Sequence, residues 1–95
     1  MSKLFVKYRL PNNKVLLSKG RDAWALLELD KADRKGCTPI DNPAPRWSAY
    51  IHNLRKCGLP IETIHEPHKG DFAGTHARYV LRTKIDIISI DGEER

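Results

Sequence analysis

The sequence predicts an α+β fold, because its ends and its middle follow different hydrophobic periods. Residues near the N-terminus and in the last third alternate between apolar and polar, as strands with one buried face do. The middle carries apolar residues at spacings of three and four, the pattern of amphipathic helices. A chain of 95 residues has room for one small core. We therefore predict a single domain over residues 1–95, with a charged C-terminal end that frays.

The stretch "KLFVKYRL" predicts the first strand, with its apolar residues on one face: Leu4, Val6, Tyr8 and Leu10. "PNN" breaks this strand and "KVLLS" follows it. The N-terminus is therefore either a hairpin or one strand with an extended lead into a helix. The hydrophobic period then changes, which predicts a first helix from a cap at Ser18 to Gly36.

The stretch "CTPIDNPAP" follows the first helix and contains three prolines. Thr38 can cap a short second helix that begins at Pro39, but the later prolines limit it to little more than one turn. Asn42 is the predicted cap of the next helix, whose first turn can accept Pro43 and Pro45 because its N–H groups have no intrahelical partner.

Residues 46–57 form the next predicted helix, which ends at Gly58. Its apolar residues fall on one helical stripe, which we predict to be core: Trp47, Tyr50, Ile51 and Leu54. Basic, small and polar residues fill the remaining positions, so the other face of this helix is predicted to be polar and cationic.

Two alternating runs after this helix predict a β-hairpin. "LPIETIHEP" gives a short strand that ends at Pro67, "THARYVLR" gives the second strand, and the turn-rich "HKGDFAG" joins them. The tail "KIDIISIDGEER" predicts one more strand, with isoleucines on both faces. Such a strand is either internal to a sheet or paired with another copy of the chain.

Charge and composition narrow the classes of partner. There are 17 Lys and Arg residues against 12 Asp and Glu, which gives a formal net charge of +5 and favours polyanionic partners. No apolar run approaches the roughly 20 residues of a membrane helix, so we expect a cytoplasmic protein without a membrane partner. Cys37 and Cys57 form no CxxC pair, which fits a reducing compartment.

Strand, helix, short helix, helix and hairpin, in this order, are the layout of a winged helix-turn-helix. In that layout the last helix can enter the major groove of double-stranded DNA, and the hairpin reaches the adjacent backbone. We therefore predict a recognition helix over residues 46–57 and a basic wing over residues 65–78. The predicted DNA-binding residues are Arg46, Ser48, Ala49, His52, Asn53, Arg55, Lys56, His68, Lys69, Thr75, His76 and Arg78.

Residues 46–82 resemble the small winged helix-turn-helix domains of bacterial and phage proteins. The helix of these domains reads "S-A-R-I-x-x-L-R-x-x-G", and this chain matches it at Ser48, Ala49, Ile51, Leu54, Arg55 and Gly58. The strands that follow read "x-I-E-T" and "R-Y-x-L", matched by Pro60, Ile61, Glu62 and Thr63 and by Arg78, Tyr79 and Leu81. The resemblance implies DNA binding, and we predict a small transcriptional regulator. Tyr50 stands where the family often has a basic residue, and the proline-rich stretch replaces a fuller second helix.

The main alternative is a protein-interaction module that uses the winged fold and the C-terminal strand. A homodimer joined through that strand would present two recognition helices to a repeated or palindromic site. Excisionase-like architectural DNA binding is a variant that uses the same contacts.

Metal and catalytic sites are not predicted. Zinc ligands would have to come from Cys37, Cys57, His65 and His68, which lack a CxxC or HxxxH anchor. Asp71, His68 and His76 lie close in the sequence, but no nucleophile accompanies them and so small a domain rarely encloses a pocket. We expect no cofactor, no metal and no enzymatic activity.

Overall fold

The computed structural model describes residues 4–44, 46–68 and 74–91. Its elements are β1 (Phe5–Arg9), β2 (Val15–Lys19), α1 (Gly20–Ala32), α2 (Trp47–Lys56), β3 (Ile61–His68), β4 (Gly74–Leu81) and β5 (Asp86–Asp91). A one-turn 3-10 helix, Asp33–Lys35, follows α1. One sheet has the strand order β2-β1-β5 and the other consists of β3 and β4. The predicted α+β class is therefore confirmed.

β1 is the central strand of the three-stranded sheet and alternates between core and solvent. Val6 and Tyr8 are buried, whereas Phe5, Lys7 and Arg9 lie on the outer face. β1 and β2 pair as an antiparallel hairpin, so the hairpin is the correct one of the two possibilities for the N-terminus.

β5 pairs antiparallel with the other edge of β1 and is an outer strand of the sheet. Ile88 is the extra residue of a β-bulge. Ile87 therefore pairs with Tyr8 and Ile90 with Val6, so both isoleucines lie on the same face of the sheet. This bulge explains why isoleucines do not follow a simple alternation. The internal-strand possibility is wrong, because within the described ranges β5 pairs with β1 alone and both Ile88 and Ile90 are exposed.

α1 buries one side in the core, through Ala23, Ala25, Leu26 and Leu29. The predicted cap at Ser18 is wrong: the hairpin register places Ser18 opposite Val6 as a buried residue of β2. Lys19 precedes the helix instead, without a side-chain cap among the described residues. The prediction that this helix continues to Gly36 is wrong: α1 ends at Ala32, because Asp33 has a positive φ of 54°, and a separate one-turn 3-10 helix leads from there to Gly36.

The predicted short second helix is a single hydrogen-bonded turn. Thr38 caps it as predicted, since its Oγ1 accepts a hydrogen bond from the Asp41 N–H at 2.9 Å. The Thr38 carbonyl also accepts one from the Asn42 N–H at 2.8 Å. No second such bond follows, because Pro43 has no N–H to donate.

α2 begins at Trp47, later than the sequence predicts, so Pro43 precedes the helix instead of lying in its first turn. Arg46 occupies the cap position without a side-chain hydrogen bond there. The predicted cap, Asn42, is wrong because Arg46 takes the cap position; the Asn42 side-chain amide instead donates to Glu28 Oε1 at 3.1 Å. Its carbonyl instead accepts a hydrogen bond from the Trp47 indole N–H at 2.6 Å, which anchors the start of α2.

We call β3 and β4, with their connecting loop, the wing. Aromatic side chains join it to α1 and α2. The Trp47 ring lies 5.4 Å from Trp24 of α1 and 6.0 Å from Tyr79 of β4, measured between centroids. All four residues of the predicted apolar stripe are buried: Trp47, Tyr50, Ile51 and Leu54. The core prediction for α2 is therefore confirmed.

The wing strands pair in register from Ile61 with Leu81 to His68 with Gly74. The prediction that β3 stops at Pro67 is wrong, since Pro67 pairs with Thr75 inside the strand. An edge strand tolerates proline because one side of its backbone has no partner to bond. Loop residues 69–73 lie outside the described part of the chain.

Cys37 ties the segment after α1 to the wing. Its N–H and carbonyl both bond to the Tyr79 backbone, each at 2.8 Å. Gly36 makes this approach possible: it has a φ of +71°, and a Cβ there would lie 2.6 Å from the Tyr79 carbonyl oxygen. Among the described residues, no helix is long and apolar enough to cross a membrane.

Candidate nucleic-acid interface

The solvent face of α2 is the centre of the candidate site. The buried stripe fixes the rotation of the helix, which leaves Ser48, His52 and Lys56 exposed on the opposite face, with the half-buried Ala49 beside them. Among the described residues none of these three polar side chains has a partner. Small residues allow close approach, and the donors can reach base edges or phosphates.

Arg55 connects α2 to the first strand of the wing. Its guanidinium donates to the Ile61 carbonyl oxygen from Nε at 3.2 Å and from Nη2 at 2.6 Å. The same Nη2 donates to Thr63 Oγ1 at 2.8 Å. Arg55 thus keeps its charge at the surface while it fixes the position of α2 relative to β3.

Asn53 makes the corresponding contact on the other flank of α2. Its side-chain amide lies 3.3 Å from both carboxylate oxygens of Asp22, in the first turn of α1. Arg46, at the start of α2, is exposed and has no side-chain partner within the described ranges. Apart from Arg46, the predicted helix residues therefore divide into a central exposed face and two residues, Asn53 and Arg55, that hold its flanks.

Two of the predicted wing residues, Arg78 and His76, meet at one carboxylate. Arg78 Nε donates to Glu66 Oε2 at 2.7 Å, and His76 Nε2 lies 3.1 Å from Glu66 Oε1. The Arg78 hydrogen bond is the main reason why the pKa of Glu66 is lowered, and the same bond raises the pKa of Arg78. Arg78 also donates to the Lys35 carbonyl at 2.8 Å, which links the wing to the 3-10 helix after α1.

A second ion pair lies on the wing, between Arg82 and Glu62 at 2.7 Å. The two arginines in or next to the described wing strands thus each face a glutamate. Of the other predicted wing residues, Thr75 is exposed, His68 ends β3, and Lys69 lies outside the described residues, as does the side chain of His68. The described part of the wing therefore carries less unpaired positive charge than the number of its basic residues suggests.

Arg34 and Lys35 are exposed cations that the sequence reasoning did not include. They lie on the 3-10 helix, which contacts β4 and whose Lys35 carbonyl receives Arg78. The sequence signal for them was a basic dipeptide directly before Gly36, the residue that the chain uses to approach the wing.

The cysteines show no sign of a metal centre. Across residues 4–44, 46–68 and 74–91, no group of three or more His, Cys, Asp or Glu side chains could hold an ion. Cys37 is buried in the core, and burial, with a smaller effect from Glu28, raises the pKa of its thiol to about 11. Cys57 is exposed after α2.

Comparison with known proteins agrees with this architecture. Residues 15–91 match the family model of a winged helix domain, a span that contains α1, α2, the wing and β5. No curated protein and no solved structure matches the chain. The match supports a DNA-binding role in general terms and confirms the resemblance seen in residues 46–82. The chain belongs to the winged helix domain family.

Proposed function

We propose that the protein binds double-stranded DNA in the cytoplasm as a small transcriptional regulator of bacterial or phage type, without catalytic activity. The observation that carries this proposal is the exposed face of α2, where Ser48, His52 and Lys56 form a row beside the small Ala49. The major groove of B-DNA is wide enough for a helix with such a face. The family match and the net charge of +5 support the same partner.

The wing is proposed to contact the backbone beside the helix. Arg55 joins α2 to β3, and Cys37 joins β4 to the segment that precedes α2. A rigid spacing between helix and wing allows both to meet one duplex without a large ordering cost. We propose Lys69, Thr75 and the exposed Arg34 and Lys35 as phosphate contacts on this side.

Fluorescence anisotropy on random duplex DNA over a salt series tests this proposal. The variants are His52→Ala and Lys56→Ala on α2 and Lys69→Ala on the wing, with Lys14→Ala as the matched control on the N-terminal sheet. Loss of one phosphate contact lowers the slope of log affinity against log salt by about 0.9. We expect that change for Lys56→Ala and Lys69→Ala and none for Lys14→Ala. Absence of binding at low salt, or an equal loss in the control, would refute the proposal.

A protein-interaction role is the second candidate. The exposed Ile88 and Ile90 on the outer strand β5 favour it, because apolar side chains beside an unpaired strand edge suit a protein partner. Self-association through β5 would place more than one α2 on a duplex. Architectural, excisionase-like binding differs from regulation by sequence readout in that it bends DNA, so a circular-permutation gel assay separates the two.

A further inference from the structure

The core face of the three-stranded sheet is covered at one edge and open at the other. α1 packs against β1 and β2, and Ser18 on the core face of β2 is only 7% exposed. On β5, Ile90 pairs with the buried Val6 and therefore belongs to the same core face, yet it is 55% exposed. The layer that covers the core face thus stops short of β5.

An apolar groove of about 520 Å³ lies where this cover is missing, between α1 and β5. Its apolar lining residues are Leu4, Trp24, Leu27, Ile87 and Ile90, and its charged ones are Glu28, Asp30 and Lys31. Of the apolar residues only Leu4 is buried, whereas Trp24, Leu27 and Ile87 are half-buried. The groove can therefore bury further apolar side chains that a partner supplies.

β5 provides a backbone edge directly beside the groove. Within the described ranges β5 pairs with β1 alone, so residues 87–90 have no strand partner on the other side. A strand added there lies about 4.8 Å from β5, and every second side chain of that strand points to the core face, where the groove is. Edge and groove together therefore fit an extended segment with apolar residues two positions apart.

The charges of the groove determine which cation or anion suits it. Lys31 Nζ lies 3.5 Å from Glu28 Oε2, so these two charges offset each other. Asp30 has no ion-pair partner among the described residues, and burial together with the nearby Asp33 raises the pKa of its carboxyl. A cation beside Asp30 favours the ionised carboxylate. Because Asp30 lies on α1, on the core side of the sheet, that cation belongs to the same row of side chains as the apolar residues.

We propose that the β5 edge binds an extended segment of a partner protein, with two apolar residues two positions apart and a Lys or Arg two positions beyond them. The segment adds a strand beside β5, its apolar side chains fill the groove, and its cation reaches Asp30. This proposal rests on the protein-interaction candidate for β5 and names the class of partner. A second β5 is not such a segment, because DIISID contains no basic residue.

Fluorescence anisotropy of labelled peptides, titrated with the DNA-free protein, tests this proposal. The probe is the peptide KTITITK, which carries the proposed pattern in both chain directions. ETITITE reverses its charge, and KIITTTK has its composition but places the two isoleucines on opposite faces of a strand. We expect the probe to bind about fivefold more tightly than either control, although the net charge of +5 favours the acidic peptide. Hydrogen exchange should slow in residues 86–91 when the probe binds, and not in β2.

Protein variants locate the binding site. Ile90→Lys should weaken binding of the probe about tenfold or more, because it places a charge on the apolar wall of the groove. Leu17→Lys is the matched control, since Leu17 is 62% exposed on the opposite outer strand, and it should bind like the wild type. Asp30→Asn should weaken binding about two- to fivefold and reduce the preference over ETITITE. If Ile90→Lys fails to fold by circular dichroism, Asp30→Asn on the surface of α1 decides alone.

Three results would overturn the proposal: no binding of the probe, equal affinity for the three peptides, or an equal loss in Leu17→Lys. Sedimentation in which the wild type self-associates and Ile90→Lys does not, without binding of the probe, would assign the edge to a second copy instead. Variants of α2 such as Lys56→Ala should bind the probe like the wild type. Failure of the DNA-binding proposal and failure of this one are therefore distinguishable.

Discussion

Arg55→Ala should separate positioning from direct DNA contact in α2. The substitution removes three hydrogen bonds, at 3.2, 2.6 and 2.8 Å, that join α2 to β3. A hydrogen bond from a charged group contributes about 1.5–3 kcal/mol when it is buried. Arg55 is exposed, and water can solvate the Ile61 carbonyl in the variant. We therefore expect the free energy of unfolding to fall by about 1 kcal/mol, equivalent to roughly 4–8 °C in Tm for a domain of this size.

The same variant should bind DNA more weakly through loss of the fixed angle between α2 and the wing. If Arg55 acts only by positioning, affinity falls by about five- to tenfold, equivalent to about 1–1.4 kcal/mol, and the salt slope does not change. Arg55→Lys is the matched control, because it keeps the charge but loses the planar fork that reaches two acceptors. We expect it to have intermediate stability and an unchanged slope.

Thermal melts and the anisotropy salt series, performed on the same samples, give both quantities. The reasoning is refuted if Arg55→Ala keeps the wild-type Tm and loses about 0.9 from the salt slope, the value for one phosphate contact. That result would assign Arg55 to the DNA and leave the α2–wing junction to the aromatic packing of Trp47 and Tyr79.

Three further substitutions test the fold around the site. Gly36→Ala should cost at least about 2 kcal/mol, measured by chemical denaturation, because its positive φ and the Tyr79 carbonyl at 2.6 Å leave no room for a Cβ; an unchanged midpoint would contradict this geometry. Tyr8→Phe should raise Tm, since the buried Tyr8 hydroxyl makes no well-formed hydrogen bond among the described residues and interacts only with the weak sulfur acceptor of Cys57; a lower Tm would show that the hydroxyl is satisfied. The Arg78 contact lowers the pKa of Glu66, so its stabilising effect is present above the unfolded pKa of about 4.3 and is lost as pH falls through the lower folded value. Glu66→Gln should therefore destabilise the protein at neutral pH but much less in acid, below the lowered folded pKa of Glu66, and a pH-independent difference in Tm would argue against the pairing.

Hydrophobic periodicity predicted most of the fold because it depends on residues close in sequence. The stripe from Trp47 to Leu54 and the alternation in β1 each identify their own buried face. The helix caps at Ser18 and Asn42 could not be predicted in this way. Ser18 is used by the sheet and Asn42 by Glu28 of α1, and both contacts depend on how separate elements pack.

The candidate site shows the same limit more strongly. Which residues of α2 face solvent followed from the stripe alone, so Ser48, His52 and Lys56 were identifiable in advance. The neighbours of each cation could not be identified in advance. Arg78 meets Glu66 only because of the wing register, and a charge count over the sequence cannot show that register.

The pairing of β5 with β1 has a consequence for synthesis of the chain. β1 and β2 leave the ribosome first, but the second edge of β1 stays unpaired until residues 86–91 have been made. At about 5–20 residues per second, this delay is roughly 4–15 s. A two-stranded hairpin alone is marginally stable at best, so we expect the nascent sheet to be more open to proteolysis and to chaperone binding during this interval. Translation speed between β2 and β5 thus sets how long this edge of the sheet remains open.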